Sequence, residues 1–193
     1  MKRIKYVLIF TLFAVLTSCN DWLNVKPVEQ VEAENMFADE RGFLQTLNGS
    51  YLLLSDPAAY GRELTIGFPD EIVRYWNKKS EFYNFKYTDT EVVGKLDGAW
   101  SKMYETIANI NLMLGNLSPN DSTRFDYYNL IRGEALGMRA YIHLDLLRLF
   151  GPVLNGNLEQ LSIPYREEFS NNLVQRMTAK DVLGKIEKDL KEA

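Results

Sequence analysis

The sequence predicts a mainly α-helical fold of antiparallel helix pairs, interrupted by one loop and short-strand insertion. Three observations carry this. Four segments repeat apolar residues at helical spacing, strand-like sequence is confined to one stretch, and no βαβ alternation occurs.

The first helix is expected from Asp39, a plausible N-cap, with Leu44, Leu47, Tyr51 and Leu54 on one face. Pro57, Gly61, Gly67 and Pro69 then break the chain into loop. Residues 82–93 are aromatic and β-branched enough to predict a short strand or hairpin arm. A second helix is predicted from about Asp97 to Leu117, where Trp100, Met103, Tyr104, Ile107, Ile110, Leu114 and Leu117 form a stripe. Ser118, Pro119 and Asn120 end it.

The longest helix is predicted from about Thr123 to Phe150. Tyr127, Ile131, Ala135, Met138, Ile142 and Leu149 lie on one side, with Tyr141, Leu144 and Leu147 towards another. Apolar residues that go most of the way round imply a helix sandwiched between neighbours. Gly133 and Gly137 each cost about 1 kcal/mol relative to Ala, so a close backbone approach is expected on that face. Gly151-Pro152 stops the helix, and a long loop follows. Thr178-Ala179-Lys180-Asp181 has capping-box spacing before a last helix carrying Val182, Leu183, Ile186 and Leu190. The chain stops at Glu192-Ala193 in that helix, without a glycine cap, proline or polar tail. The sequence is therefore expected to be the N-terminal part of something longer.

The first 18 residues have a different character. Lys2, Arg3 and Lys5 precede an apolar run from Tyr6 to Leu16, and Leu16-Thr17-Ser18 places small residues before Cys19. That is the order of a secretory signal peptide. The run is too short for a spanning helix, which needs about 20 residues. Leu16-Thr17-Ser18-Cys19 resembles the lipobox of bacterial lipoproteins, which implies lipidation of the Cys19 thiol and cleavage before it. Expected boundaries are therefore 1–18 signal peptide, 19–38 tether and 39–193 helical body.

Cleavage removes three basic residues and no acid, leaving 19 Lys+Arg against 26 Asp+Glu. That balance argues against nucleic acid, whose phosphates need clustered cations, and offers no polybasic patch for anionic lipid. The single cysteine is the lipidation candidate, so the exported body must rely on a packed core rather than disulfides.

Chemistry is sparse. The lone histidine, His143, lies mid-helix and reads as packed or satisfied at the surface. A zinc site needs several His or Cys ligands, which the chain lacks. No nucleophile elbow or Cys–His pairing occurs, and Asp70-Glu71 and Glu167-Glu168 read as solvated surface. No catalytic residue, metal or cofactor is expected.

Four stretches together resemble the SusD/RagB family of outer-membrane nutrient-binding lipoproteins. They are Ser18-Cys19-Asn20-Asp21-Trp22-Leu23 with Pro27; Trp100, Tyr104, Ile107 and Asn111; Gly133-Glu134-Ala135 to Arg139-Ala140-Tyr141, continuing through Leu146 and Leu149 to Phe150-Gly151-Pro152-Val153; and Pro164-Tyr165 with Arg176, Thr178, Val182, Ile186, Asp189, Leu190 and Ala193. The resemblance implies a tetratricopeptide-like array of helix pairs within a much longer protein, although no clean repeat of about 34 residues is visible. It implies a cell-surface role, in which an oligosaccharide or sometimes a peptide is captured over a TonB-dependent, SusC-like transporter. A helical scaffold lipoprotein holding a protein or peptide partner is the alternative.

The glycan-binding candidates are Arg74, Tyr75, Trp76, Asn77 and Tyr83, with Phe85 and Tyr87 downstream. Sugar rings offer apolar faces to aromatics and hydroxyl edges to planar polar groups. The same aromatics would also serve as a satellite core under the loop. Glu134, Arg139 and Asn111 read as structural polar residues. The first two are expected to form a partly buried charge pair or to bond a neighbouring helix, and Asn111 to find inter-helix partners.

Overall fold

The computed structural model describes residues 33–69, 81–82, 84–153 and 155–193. The chain divides into two units, Met1–Ala38 and Asp39–Ala193. In the first, residues 33–36 are helical. They fall in the expected 19–38 tether, and Ala33, Glu34 and Met36 are good helix formers. Residues 1–18, read as a signal peptide, and Cys19 lie outside the described residues.

The second unit is built from four helices: α1 (Glu40–Leu54), α2 (Thr90–Asn116), α3 (Tyr128–Phe150) and α4 (Ala179–Glu192). Asp39 caps α1, its Oδ1 accepting from the Gly42 N–H at 3.1 Å. Phe43 and Leu47 are buried on the inner face of this helix. A single π-turn (Glu63–Gly67) follows in the predicted loop.

α2 begins seven residues earlier than predicted, and no strand forms among the described residues of 82–93. The Asp89 carboxylate supplies the cap, accepting from the N–H groups of Glu91 (2.9 Å) and Val92 (3.4 Å). Val92 and Ala99 then pack with Phe68 and Phe82, while Leu96 is partly buried against them. Tertiary burial thereby overrides the β-branched character of Val92 and Val93. α3 starts later than predicted because Pro119–Thr123 forms a 3₁₀ turn with a capping box between Ser118 and the buried Asp121. It ends at Gly151, which sits at φ −74° and ψ 168°, the extended state preferred before a proline.

Pairing follows from the contacts. Phe43 of α1 meets Phe125, in the connection that follows α2, at 5.5 Å, whereas Asp56, just past α1, reaches Lys102 of α2 at 3.7 Å. These two helices are antiparallel. Trp100 meets Phe150 while Asn111 meets Arg139, so α2 and α3 are antiparallel too. Arg139 bonds Asp189 and Arg132 bonds Glu192, which makes α3 and α4 a third antiparallel pair. Such stacking is the tetratricopeptide-like arrangement of helix hairpins.

Ten residues of α3 are buried, from Ile131 to Leu147, as befits a helix packed on several sides. Tyr127, Tyr141 and Leu149, expected inside, are exposed. α4 buries only Ala179, Val182, Ile186 and Asp189. Its N-cap hydroxyl, Thr178 Oγ1, accepts from the Asp181 N–H at 3.1 Å. The Asp181 carboxylate bonds the same hydroxyl at 2.7 Å.

The two glycines of α3 differ. A Cβ on Gly133 would lie 2.7 Å from the Ala193 carbonyl oxygen, whereas on Gly137 it would meet nothing within 4 Å. The expected close approach therefore exists at Gly133 alone. Gly137→Ala should raise stability by up to about 1 kcal/mol through helix propensity, and Gly133→Ala should not. Thermal unfolding of the two variants checks this, and equal shifts would contradict it.

Candidate functional site

Arg139 is the centre of a buried polar network. Its side chain and that of Asp189 are 7% and 3% exposed. Nε donates to Asp189 Oδ2 at 2.6 Å, and Nη2 to Oδ1 at 2.7 Å. Nη1 donates to Asn111 Oδ1 at 2.8 Å and to the Glu167 carbonyl at 3.3 Å. Asn111 in turn donates through Nδ2 to the Arg166 carbonyl at 3.0 Å. The Tyr165 hydroxyl gives Asp189 a third bond, at 2.5 Å. Burial works against the Arg139 charge, but the bonds and charge of Asp189 outweigh it and raise the guanidinium pKa. Burial, and then the bond to Asp189, raise that of the Tyr165 phenol.

Of the two arrangements expected for Glu134 and Arg139, the mutual charge pair does not form, whereas bonds to neighbouring helices do. Glu134 accepts instead from the Tyr51 hydroxyl at 2.9 Å, joining α3 to α1. The two residues lie five apart on one helix and therefore project in different directions. The actual partner, Asp189, is fifty residues away. Its place in the apolar register of α4, three after Ile186, was the available signal.

His143 stacks on Tyr165 with centroids 3.8 Å apart. Its Nε2 accepts from the Arg166 N–H at 3.2 Å, so Nδ1 carries the proton and donates to the Arg139 carbonyl at 2.9 Å. Burial, with a smaller contribution from the Arg139 charge, lowers its pKa to about 4 despite the opposing bond to the carbonyl. The packed reading of His143 fits this neutral ring.

The glycan-binding candidates Arg74, Tyr75, Trp76, Asn77 and Tyr83 lie outside the described residues. Of the nearby aromatics, Phe82 is buried against Phe68 with centroids 5.2 Å apart, forming a satellite core. Phe85 and Tyr87 are 69% and 55% exposed. Tyr87 also lines a groove with Trp100 and Phe150, a meeting the sequence did not signal, since Trp100 read only as part of the α2 stripe. Among the described residues, no cluster of three or more His, Cys, Asp or Glu could hold a metal, and no helix is long and apolar enough to cross a membrane.

The class defined by this geometry is a scaffold of helix hairpins, locked inside by polar bonds and carrying exposed aromatics at its loop edges. Residues 21–193 match the SusD-like family model described as "Starch-binding associating with outer membrane", and the chain belongs to that family. It is 28% identical over 162 residues to SusD-like protein P2 of Formosa agariphila, covering 79% of this chain and 31% of that protein. A SusD superfamily structure from Bacteroides fragilis superposes with TM-score 0.66 at 23% identity, over 81% of this chain and 39% of that one. One from Bacteroides thetaiotaomicron gives 0.58 at 20%, over 77% and 35%. The chain thus spans about a third of the length of these relatives.

The neutral, buried His143 gives a pH prediction. Unfolded, its pKa is about 6.5, so the unfolded chain takes up a proton first as pH falls. Stability held above pH 6.5 should be lost progressively down to about pH 4, by up to roughly 3 kcal/mol from this residue. Denaturant unfolding of wild type and His143→Gln at pH 7 and pH 4.5 checks the sign. The variant should lose less on acidification, and parallel losses would contradict the assignment.

Proposed function

We propose that this chain provides the helical-hairpin part of a lipid-anchored outer-membrane protein that captures oligosaccharide and performs no chemistry. The carrying observation is the family match over residues 21–193, whose description combines starch binding with outer-membrane association. The protein faces the cell exterior and hands its ligand to a TonB-dependent, SusC-like transporter. Exposed aromatics at the edge of a rigid helical scaffold support this reading. They present ring faces that stack on sugars, at loops where binding residues concentrate.

Cys19 is the anchor. It is the sole cysteine and follows a basic, then apolar, then small-residue leader. Each buried methylene contributes about 0.8 kcal/mol, so one acyl chain holds weakly and two or three hold lastingly. Arg74, Tyr75, Trp76, Asn77 and Tyr83 remain the proposed ligand contacts, with stacking from the rings and hydroxyl bonds from Arg and Asn.

Two measurements on the full-length protein test this. Wild type should fractionate with outer membranes and Cys19→Ala should be released; retention of the variant would sink the anchor. The purified protein should be retarded by immobilised polysaccharide without releasing reducing sugar. Retardation by no polysaccharide would contradict the binding role, and sugar release the absence of catalysis.

A further inference from the structure

We infer that the groove between the N-terminal half of α2 and the C-terminal end of α3 is a subsite for one ring of a neutral glycan. This rests on the glycan-binding reading and deepens it. The described lining residues are Tyr87, Val93, Leu96, Asp97, Trp100 and Phe150, around a volume of about 370 Å³. That is within the range of small-ligand sites, about 300–1,000 Å³.

The groove has the two kinds of surface that a pyranose presents. Val93, Leu96 and Phe150 supply apolar side chains, and Trp100 and Tyr87 add aromatic rings. The lining residues also carry polar groups: the Asp97 carboxylate, the Tyr87 hydroxyl and the Trp100 indole N–H. None of these three groups hydrogen-bonds another described residue. A carboxylate accepts from sugar hydroxyls, the indole N–H donates to them, and a phenol does either. An apolar side chain from a protein would leave these polar groups unused.

The rings are held in place before any ligand arrives. Phe150 meets Trp100 edge-on at 5.0 Å and 89°, and Tyr104 packs tilted against it at 4.8 Å. Tyr104 is fixed in turn by its hydroxyl, which donates to the Pro164 carbonyl at 2.7 Å. Phe82, buried in the satellite core, meets Tyr87 edge-on at 6.3 Å. Ordering a loose side chain on binding costs about 0.5–1.5 kcal/mol, and rings already fixed avoid much of that.

Charge selects the class of glycan. The described lining holds one carboxylate and no cation. A uronate or sulfate placed beside Asp97 would meet a like charge, so the subsite favours neutral hexoses over acidic ones.

Binding of the full-length protein to soluble starch, a neutral β-glucan and alginate, by affinity electrophoresis and calorimetry, tests the inference. Asp97→Asn alters an exposed side chain and should leave thermal unfolding unchanged, while Tyr87→Ala loses the edge contact with Phe82 and should shift it only slightly. Each should weaken binding to the neutral polysaccharide roughly tenfold, and Asp97→Asn should narrow the margin over alginate. Trp100→Phe, which keeps an aromatic ring and loses the indole N–H, should weaken it as well. If wild type binds a polysaccharide and Tyr87→Ala and Asp97→Asn bind it equally well, the subsite is wrong and the glycan-binding reading stands. Wild type that prefers alginate overturns the neutral-glycan assignment. Wild type that binds none of the three removes the basis of the inference itself.

Discussion

The Arg139–Asp189 pair joins α3 to α4 where neither charge tolerates being left alone. Removing one partner of a buried pair typically costs about 3–5 kcal/mol, yet replacing both with apolar side chains is often neutral. The contribution of such a pair is therefore to specification more than to raw stability. The guanidinium fork meets the carboxylate through two parallel bonds, a geometry that tolerates little displacement. Sliding α4 by one helical turn, about 5.4 Å, would strand both charges in the core. The apolar face of α4 alone would discriminate less sharply, because Val182 and Ile186 could find other apolar neighbours.

The same network fixes the chain that crosses between the helices. Asn111, Tyr165, the Arg166 carbonyl and the Glu167 carbonyl all reach it. Residues 162–166 are further held by Ser162 to the Met177 carbonyl and by the Arg166 N–H to His143. Pro164, adjacent to Tyr165, accepts the Tyr104 hydroxyl, and Tyr104 supports Trp100. A continuous path of contacts thus runs from the buried ion pair to the aromatic groove. The interior holds a shape, while Phe85 and Tyr87 stay exposed at the loop edge.

Much of this was legible in the sequence, and the misses have physical causes. The stripe Met103, Ile107 and Ile110 and the caps at Asp39 and Thr178 are local signals, and each marks its helix. The segment 82–93 read as strand because β-branched and aromatic residues cluster there. Burial of Val92 and Leu96 beside Phe68 and Phe82 favours helix, and that contact is not local. Arg139 was recognisable as a structural residue. Its partner was not, because a pair fifty residues apart leaves no spacing rule to follow. Trp100 was equally opaque as a groove residue, since one indole can support a core with one face and line a surface with another. The binding candidates Arg74–Asn77 and Tyr83 fall outside the described residues, and their placement rests on sequence alone.

A double-mutant cycle of Arg139→Met and Asp189→Leu, read as unfolding free energy at pH 7, tests most directly whether the buried pair specifies the α3–α4 packing. Each single variant leaves one charge buried without its partner, so both should lose several kcal/mol, and the double variant should recover about 2 kcal/mol or more relative to their sum. Losses that add to within about 0.5 kcal/mol would show that the two side chains act independently, and the packing would then owe its register to apolar contacts alone.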